Sequence, residues 1–338
     1  MSDKLTLVHF GAGNHTDPPD KFRRLFRRAI RSTPASRPLF ESQLAELVSI
    51  SQTIEESPLT NTGLTSSVAR DGSIQCDSSV FVYNRTTLKH TQSSLLANTS
   101  AHPTTDCAIQ YVLQQNQNDL GLTAPVALVG KTDRTLELNG PMKQFYDKFK
   151  PALCKIDAVD RKTVASIVSD TIGVSLVGRT TVTTGVSSGG SLFKRPGRIG
   201  CSGVVGAGCY TAQQEGFLAN VLCSGNGEDI IQMDLARTVC RHLLSNRHSG
   251  RMTCDLVAEA AYTAAEEVEL RALDENYKPR LYVGVCGYFE APDNLKCVFY
   301  FHTTETFVFG YSTSLKSEFL FSKLPKAQTA TKGQMYVK

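Results

Sequence analysis

The sequence predicts an α+β protein in which two antiparallel sheets pack face to face and pairs of helices cover them. Helix-like segments occur in pairs between groups of strands, whereas a doubly wound parallel sheet would alternate helices and strands one to one. Two strand-like segments meet across Gly178-Arg179, which is typical of a tight hairpin. The 338 residues are enough for one large domain or two ordinary ones.

Apolar runs and breaker residues set the predicted elements of the first half of the chain. Leu5 to Phe10 favours a strand that ends at Gly11-Ala12-Gly13, and Pro58 stops the second helix. A segment rich in threonine, serine and glycine then favours a long loop. The predicted elements are a strand at 5–10, helices at 20–31 and 40–56, a loop at 60–77, a strand at 79–83, a helix at 108–117, a strand at 124–129 and a connector at about 139–170.

The second half begins with the predicted hairpin and continues with another strand and two long helical patterns. Three strand-like segments complete the predicted order. These elements are strands at 171–176, 180–186 and 217–223, helices at 228–244 and 252–270, and strands at 281–288, 296–302 and 307–311.

Composition and charge argue against several functional classes. A net charge of +4 is only mildly basic, so nucleic acid is not an expected partner. Lys21 and five arginines lie on the first helix, and we interpret them as the solvated face opposite its apolar stripe. No leader pattern and no apolar run of about 18 residues is visible, which predicts a cytoplasmic or nuclear protein that does not contact membranes.

Cysteine and histidine spacings predict neither a metal site nor a cofactor. The ten cysteines form no Cys-x-x-Cys pair, which favours free and mostly buried thiols in a reducing compartment. None of the seven histidines has the spacing of a zinc or iron site. Gly11-Ala12-Gly13 is not a full dinucleotide fingerprint, because Thr16 stands where a third glycine is needed.

The segment Gly185-Val186-Ser187-Ser188-Gly189 formally matches the nucleophile elbow of serine hydrolases. An elbow needs a helix directly after it, whereas loop residues ending in Arg195-Pro196-Gly197 follow here. We therefore interpret this segment as a strand end that presents hydroxyl groups to a substrate.

Thr171 stands at a strand start, behind the connector and directly after Asp170. A threonine at such a place is usually only a β-branched strand residue. A chain cut before Thr171 would give it a free α-amino group, whose pKa near ~7.7–8.0 suits a base that takes the proton of its own hydroxyl. Thr171 is therefore a candidate nucleophile that carries its own base.

Several ordered motifs resemble one family along nearly the whole chain. They are LVHFGAG, SPLTNTG with DGSIQCDSS, SDTIGVSLVG, GVSSGG with KRPGRIG, GAGCY, CSGNGEDI with LAR, and FHTTETFVFGY followed by SKLP. These motifs are similar to those of the plant-type asparaginases, which are N-terminal nucleophile hydrolases. Within that family they most resemble the threonine aspartase (taspase) branch.

The resemblance implies a four-layer αββα sandwich and a precursor that cuts itself between Asp170 and Thr171. Residues 1–170 would form an α segment and residues 171–338 a β segment of one domain, and the αβ unit would form a homodimer. Self-cleavage would involve Asn61 and Gly11 as loop residues near the cut bond.

The resemblance also assigns roles in the mature enzyme. Thr171 would be the nucleophile and Ser188 its supporting hydroxyl, while Ser224 and Gly225 would form the oxyanion hole. Arg198 would bind a substrate carboxylate.

Two departures from the asparaginase pattern favour an endopeptidase that cuts proteins or peptides after Asp. Asp170 replaces the usual glycine before the nucleophile, and Cys201 replaces an acid that would bind a free amino acid's ammonium group. An asparaginase or isoaspartyl dipeptidase is the first alternative. A non-catalytic relative that binds proteins is the second.

Overall fold

A computed structural model describes residues 4–33, 40–116, 125–130, 147 and 171–337. The strands are β1 (Leu5–Gly13), β2 (Cys76–Asn84), β3 (Lys89–Asn98), β4 (Ala127–Val129), β5 (Ile172–Val177), β6 (Thr181–Ser188), β7 (Cys209–Gln214), β8 (Phe217–Gly225), β9 (Val283–Glu290), β10 (Lys296–His302), β11 (Thr306–Ser312), β12 (Ser317–Lys323) and β13 (Thr331–Tyr336). The helices are α1 (Pro19–Ile30), α2 (Ser42–Glu55), α3 (Pro103–Asn116), α4 (Gly227–Gln232), α5 (Leu235–Ser245) and α6 (Thr253–Glu266).

The strands form two sheets, which confirms the predicted α+β class. One sheet has the order β12-β11-β1-β5-β6-β2-β3-β4 and the other the order β13-β10-β9-β8-β7. The pairings are antiparallel except that of β3 with β4, which is parallel. β5 and β6 form the predicted hairpin across Gly178-Arg179, so strand β5 lies near the middle of the larger sheet.

Three apolar clusters hold the elements together, because each sheet has two faces to bury. Helices α1 to α3 pack on one face of the larger sheet, with residues such as Leu47 and Val174 in contact. The inner faces of both sheets share a second cluster that includes Leu7 and Val298. Helices α5 and α6 pack on the outer face of the smaller sheet around Phe299.

Helix α1 shows how this packing uses a strongly amphipathic sequence. Phe22 and Phe26 are buried in the cluster of the larger sheet, whereas the basic side chains are on the exposed face. The Arg23 guanidinium stacks over the ring of Phe319 at 5.6 Å, which anchors one of these side chains to β12. In the part of the chain that the structure describes, no helix is long and apolar enough to cross a membrane.

The predicted helix at 228–244 is wrong as one unit, because it breaks into α4 and α5. Asp234 lies between them in the left-handed region at φ 45°. Aspartate tolerates this conformation better than most residues. Its carboxylate also accepts a hydrogen bond of 2.6 Å from Arg237, which holds the break in place.

Four strands have no counterpart in the sequence-based prediction. They are β3, β7, β12 and β13. Their residues are partly exposed and their apolar alternation is weak, as in the start of β3. Pairing of backbone groups with a neighbouring strand fixes them, and that is information that a single segment does not carry. Of the predicted connector, the structure describes residue 147 alone, so its conformation lies outside the described residues.

Candidate active site

Thr171 is buried at the start of β5, where the two sheets approach each other. Its backbone N–H donates to Ser224 Oγ at 3.4 Å, and Ser224 belongs to β8 of the other sheet. The backbone N–H of Ala12, on β1, donates to the same oxygen at 3.0 Å. One hydroxyl therefore ties three strands from two sheets together around Thr171.

The Ser224 hydroxyl acts as an acceptor, not a donor, in these two hydrogen bonds. A serine hydroxyl has one proton and two acceptor lone pairs, and both observed contacts use Ser224 as the acceptor. Among the described residues no acceptor takes its own proton, which is then available to a developing negative charge, as an oxyanion hole requires. Gly225 follows in the left-handed region at φ 127°, where an added Cβ would collide with the Tyr282 carbonyl. Glycine is therefore the residue that this backbone conformation at position 225 requires.

The Thr171 hydroxyl faces a thiol rather than a charged group. Thr171 Oγ1 lies 3.8 Å from Cys201 Sγ, and either atom could be the donor. Burial raises the pKa of Cys201, although the nearby Arg198 charge opposes this effect. Cys201 therefore stays protonated near neutral pH, and a thiolate does not compete with Thr171 as the nucleophile.

Ser188 lies beside Thr171 because of strand register. Ile172 pairs with Ser187 across the β5–β6 hairpin, and one further step sets Ser188 opposite Thr171. Ser188 Oγ accepts a 3.0 Å hydrogen bond from the Gly190 N–H. Strand β6 ends at Ser188 in a loop and not in a helix, which agrees with rejecting the nucleophile elbow.

Asn61 holds this end of β6 through three hydrogen bonds. Its backbone carbonyl accepts from the Gly189 N–H at 2.7 Å, and its side-chain amide donates to the Gly190 carbonyl at 2.6 Å. Its side-chain oxygen accepts from the Ser67 N–H at 2.6 Å. Asn61 therefore fixes the loop at 60–67 against the segment that carries Ser188.

Gly11 and its neighbour His9 form the β1 side of the site. Gly11 has a φ of 106° at a bulge between β1 and β11. The His9 ring lies against Gly173, so that a Cβ at Gly173 would overlap it. Burial lowers the pKa of His9 to about 3, although the backbone of Thr171 acts in the opposite direction. A neutral imidazole therefore lies near the backbone of the candidate nucleophile Thr171, and within the described residues neither ring nitrogen has a partner of good hydrogen-bond geometry.

Two donor groups of the Arg198 guanidinium are already engaged and are not free for a substrate. Its Nε and Nη2 donate to the two carboxylate oxygens of Glu228, each at 2.7 Å. Burial would lower the pKa of Arg198, but the hydrogen bonds and charge of Glu228 outweigh it and raise that pKa. Burial would raise the pKa of Glu228, but the hydrogen bonds and charge of Arg198 contribute to a net lowering. Sequence reasoning missed Glu228, because nothing in its spacing indicates a pair with a residue 30 positions away.

A buried carboxyl group supports the site from the helical side. Glu55 Oε1, at the end of α2, accepts hydrogen bonds from the Thr104 N–H at 3.0 Å, the Thr104 hydroxyl at 2.5 Å and the Ser187 hydroxyl at 3.0 Å. The hydroxyls of Ser187 and Thr62 lie 2.6 Å apart. Glu55 thus joins α2, α3, the 60–67 loop and the strand end beside Ser188.

We expect Glu55→Gln to stabilise the protein at high pH. Burial raises the pKa of Glu55 to about 7, above its ordinary value of 4.5. Stability from this group is therefore fully present below about pH 4.5 and is lost as pH rises through about 7. Glutamine resembles the protonated acid, so the variant should match the wild type near pH 5 and exceed its unfolding free energy by up to about 3 kcal/mol near pH 8.5.

Urea unfolding of both proteins at the two pH values measures this difference. Glu275→Gln, which removes an exposed carboxylate, is the matched control and should show no comparable change. A Glu55→Gln curve that stays parallel to the wild type at both pH values would contradict the prediction.

The structure brings most of the predicted site residues to one place, but not all of them can be located. Thr171, Ser224 and Cys201 are in contact, and Ser188 and Gly225 are their neighbours in the two sheets. Asp170 lies outside the described residues, so the geometry of the bond before Thr171 is not seen. In the described ranges no group of three or more histidine, cysteine or acidic residues is arranged to hold a metal ion. The nine cysteines described are free and buried.

Comparison with known proteins points to one family for this region. A family model described as "Asparaginase" matches residues 131–271, which is under half of the chain. This range contains Thr171, Ser188, Arg198, Ser224 and Glu228. The region around Thr171 is therefore similar to that family, whose members are N-terminal nucleophile hydrolases.

A shorter similarity concerns a plant protein. Over 71 residues the chain is 41% identical to "Probable isoaspartyl peptidase/L-asparaginase 2" from Arabidopsis thaliana, and this stretch is 21% of this chain. The chain thus spans about a fifth (21%) of the length of the curated relative that it matches. Both matches are to proteins whose descriptions name asparaginase.

Proposed function

We propose that this protein is a threonine hydrolase of the asparaginase family that activates itself and then hydrolyses asparaginyl or isoaspartyl amide bonds. The observation that carries the proposal is the position of Thr171. Its nitrogen lies against Ser224 Oγ and its hydroxyl is buried beside a neutral thiol, within the range that matches the family. The order of packed elements, with helices outside two facing sheets, fits the αββα sandwich of that family.

Self-activation would proceed by acyl transfer from nitrogen to oxygen. Thr171 Oγ attacks the Asp170 carbonyl, the peptide C–N bond breaks, and the Thr171 nitrogen takes the proton. Water then hydrolyses the resulting ester and releases Asp170 as a carboxylate. The free Thr171 amine can afterwards take the proton of its own hydroxyl.

The mature reaction would use the same groups on a substrate. Thr171 Oγ attacks the amide carbonyl, and the oxyanion is stabilised by the Ser224 hydroxyl and the Gly225 N–H. The amine leaving group takes a proton, and water hydrolyses the acyl-enzyme. Ser188 would support the nucleophile, and the αβ units would associate as homodimers.

The second candidate is the endopeptidase that cuts after Asp, as in the taspase branch. Two observations favour it. Asp170 precedes the bond to be cut, and the neutral Cys201 beside Thr171 offers no charge to a free amino acid's ammonium group. Under this alternative the substrate is a protein or peptide with Asp at the cleavage site.

Intact mass spectrometry of the purified 36.9 kDa chain tests self-activation. Cleavage before Thr171 gives pieces of 170 and 168 residues, which a gel would separate poorly. A single uncut chain after long incubation would exclude both hydrolase candidates and leave the non-catalytic protein-binding relative.

Substrate choice is tested on the cut protein with three compounds in parallel. They are free asparagine, an isoaspartyl dipeptide and a peptide library that contains internal Asp. Turnover of the first two supports the amidohydrolase, whereas cleavage after Asp in the library alone supports the endopeptidase.

A further inference from the structure

We propose that Glu228 occupies the substrate-carboxylate site of Arg198 in the resting protein and exchanges with the substrate carboxylate on binding. The inference rests on the proposed function and adds a determinant of its specificity. It assigns Glu228, which no motif argument singled out, as an internal competitor for the substrate.

The Arg198 guanidinium is held rigidly. Three glycines surround it, and an added Cβ would come within 2.7 Å of Nη1 at Gly190, 2.8 Å of Nη1 at Gly200 and 2.7 Å of Nη2 at Gly227. Its side chain is 15% exposed. Backbone therefore packs against the guanidinium at three positions, which restricts its movement.

Glu228 is the partner that can move. Its side chain is 40% exposed, and the described side-chain hydrogen bonds of its carboxylate are the two to Arg198. Its own backbone N–H and the charge of Arg271 also lower its pKa. The backbone of α4 is anchored independently of that side chain. Asn226 accepts from the Asp229 N–H at 3.1 Å, and the Asp229 carboxylate accepts from the N–H groups of Arg271 and Ala272. A change of Glu228 side-chain rotamer therefore suffices to open the guanidinium fork.

The pair lies close enough to the nucleophile to orient a substrate. A Cβ at Gly227 would lie 2.7 Å from Arg198 Nη2 and 3.5 Å from the backbone nitrogen of Cys201, and Cys201 Sγ is 3.8 Å from Thr171 Oγ1. Cys201 therefore lies near both Arg198 and Thr171, so a ligand carboxylate on Arg198 would be in the neighbourhood of the Thr171 hydroxyl. A short dicarboxylic unit such as an aspartyl or succinyl group is the kind of ligand that such a site would take.

Exchange of one carboxylate for another avoids the main cost of breaking a partly buried ion pair. Removing Glu228 alone would leave Arg198 without its bidentate partner, and a partly buried charge that loses its ion pair is unfavourable. When a substrate carboxylate arrives, Arg198 keeps a bidentate partner and Glu228 gains water. The remaining cost appears in the apparent affinity for the substrate. That affinity is scaled by the fraction of protein in which Glu228 does not occupy Arg198.

This arrangement also defines which ligands can compete. A neutral amide or an ester cannot replace Glu228 on the guanidinium, since it brings no charge for Arg198. Cys201 contributes no charge for an ammonium group. The exchange therefore selects for the carboxylate alone, which asparagine, an isoaspartyl unit, a peptide-borne aspartyl side chain and succinate all carry.

Isothermal titration calorimetry with succinate tests the exchange without relying on turnover. Glu228→Gln should bind succinate about 3- to 30-fold more tightly than the wild type, because the internal competitor is gone while Arg198 remains. Glu275→Gln, which removes an exposed carboxylate elsewhere, should bind like the wild type. Arg198→Gln should lose binding, and uncharged succinamide should bind to none of the four proteins.

The proposed exchange would be overturned if Glu228→Gln bound succinate as tightly as the wild type or more weakly. It would also be overturned if succinate bound to none of the proteins. Should Glu228→Gln not fold, Glu228→Asp serves instead, since its shorter side chain cannot reach both nitrogens; unchanged affinity in that variant would overturn the proposal equally. Failure of the exchange can be distinguished from failure of the proposed function. An uncut chain with tightened succinate binding refutes self-activation alone, and a cut, active protein without tightening refutes the exchange alone.

Discussion

Thr171→Ala should abolish self-cleavage and lower any hydrolytic activity by about 10⁴-fold or more, the scale at which loss of a nucleophile is felt in hydrolases. The reason is that one residue would supply both the attacking oxygen and, after the cut, the amine that activates it. Intact mass spectrometry and steady-state assays measure the two effects. The variant should show a single mass for 338 residues.

Thr171→Ser is the matched control, because it keeps the hydroxyl and the backbone nitrogen and loses one methyl group. We expect Thr171→Ser to cut itself, although more slowly, since the methyl packs the side chain at a 4% exposed position. Cleavage that persists in Thr171→Ala would show that another group attacks the bond.

Ser224→Ala has the second largest expected effect, a fall of about 10²- to 10³-fold in kcat with little change in KM. The variant loses the proposed oxyanion donor. It also leaves the buried N–H groups of Ala12 and Thr171 without the acceptor seen at 3.0 and 3.4 Å. This second loss should destabilise the fold by about 1–3 kcal/mol.

Ser175→Ala separates the catalytic effect from the structural one. Ser175 is a buried serine on β5 whose hydroxyl lies 2.9 Å from that of Thr184. Its loss should cost similar stability and leave kcat unchanged. If both variants lose kcat equally, Ser224 acts through the fold and not on the oxyanion.

Local chemistry explains why parts of the site could be predicted from the sequence. The strand start at Thr171, the hairpin at Gly178-Arg179 and the hydroxyl-bearing strand end at Ser188 all depend on neighbours within a few residues. Turn preference and the chemical character of a residue are properties of a short segment, so pattern reasoning can find them. The motif resemblance added Arg198 and Ser224 in the same way, as residue types in a matching order.

The electrostatic state of the site depended on contacts between distant segments. Arg198 was predicted to await a substrate carboxylate, but a side chain 30 residues further along already holds it. From the sequence Glu55 is one more residue of a predicted helix. In the fold its burial raises its pKa to about 7, although hydrogen bonds from Thr104 act in the opposite direction. Neither state follows from spacing, because the charge of a group depends on which groups pack around it.

The sequence by itself determined the α+β class, the identity of the candidate nucleophile and the local turn that presents Ser188. Only the tertiary structure decided that Ser224, 212 residues from Ala12 and 53 from Thr171, accepts from both. It also decided the break at Asp234, the four weakly patterned strands and the Arg198–Glu228 pair. The physical reason is that strand pairing and burial join groups far apart in the chain, whereas propensity and pattern describe only neighbours.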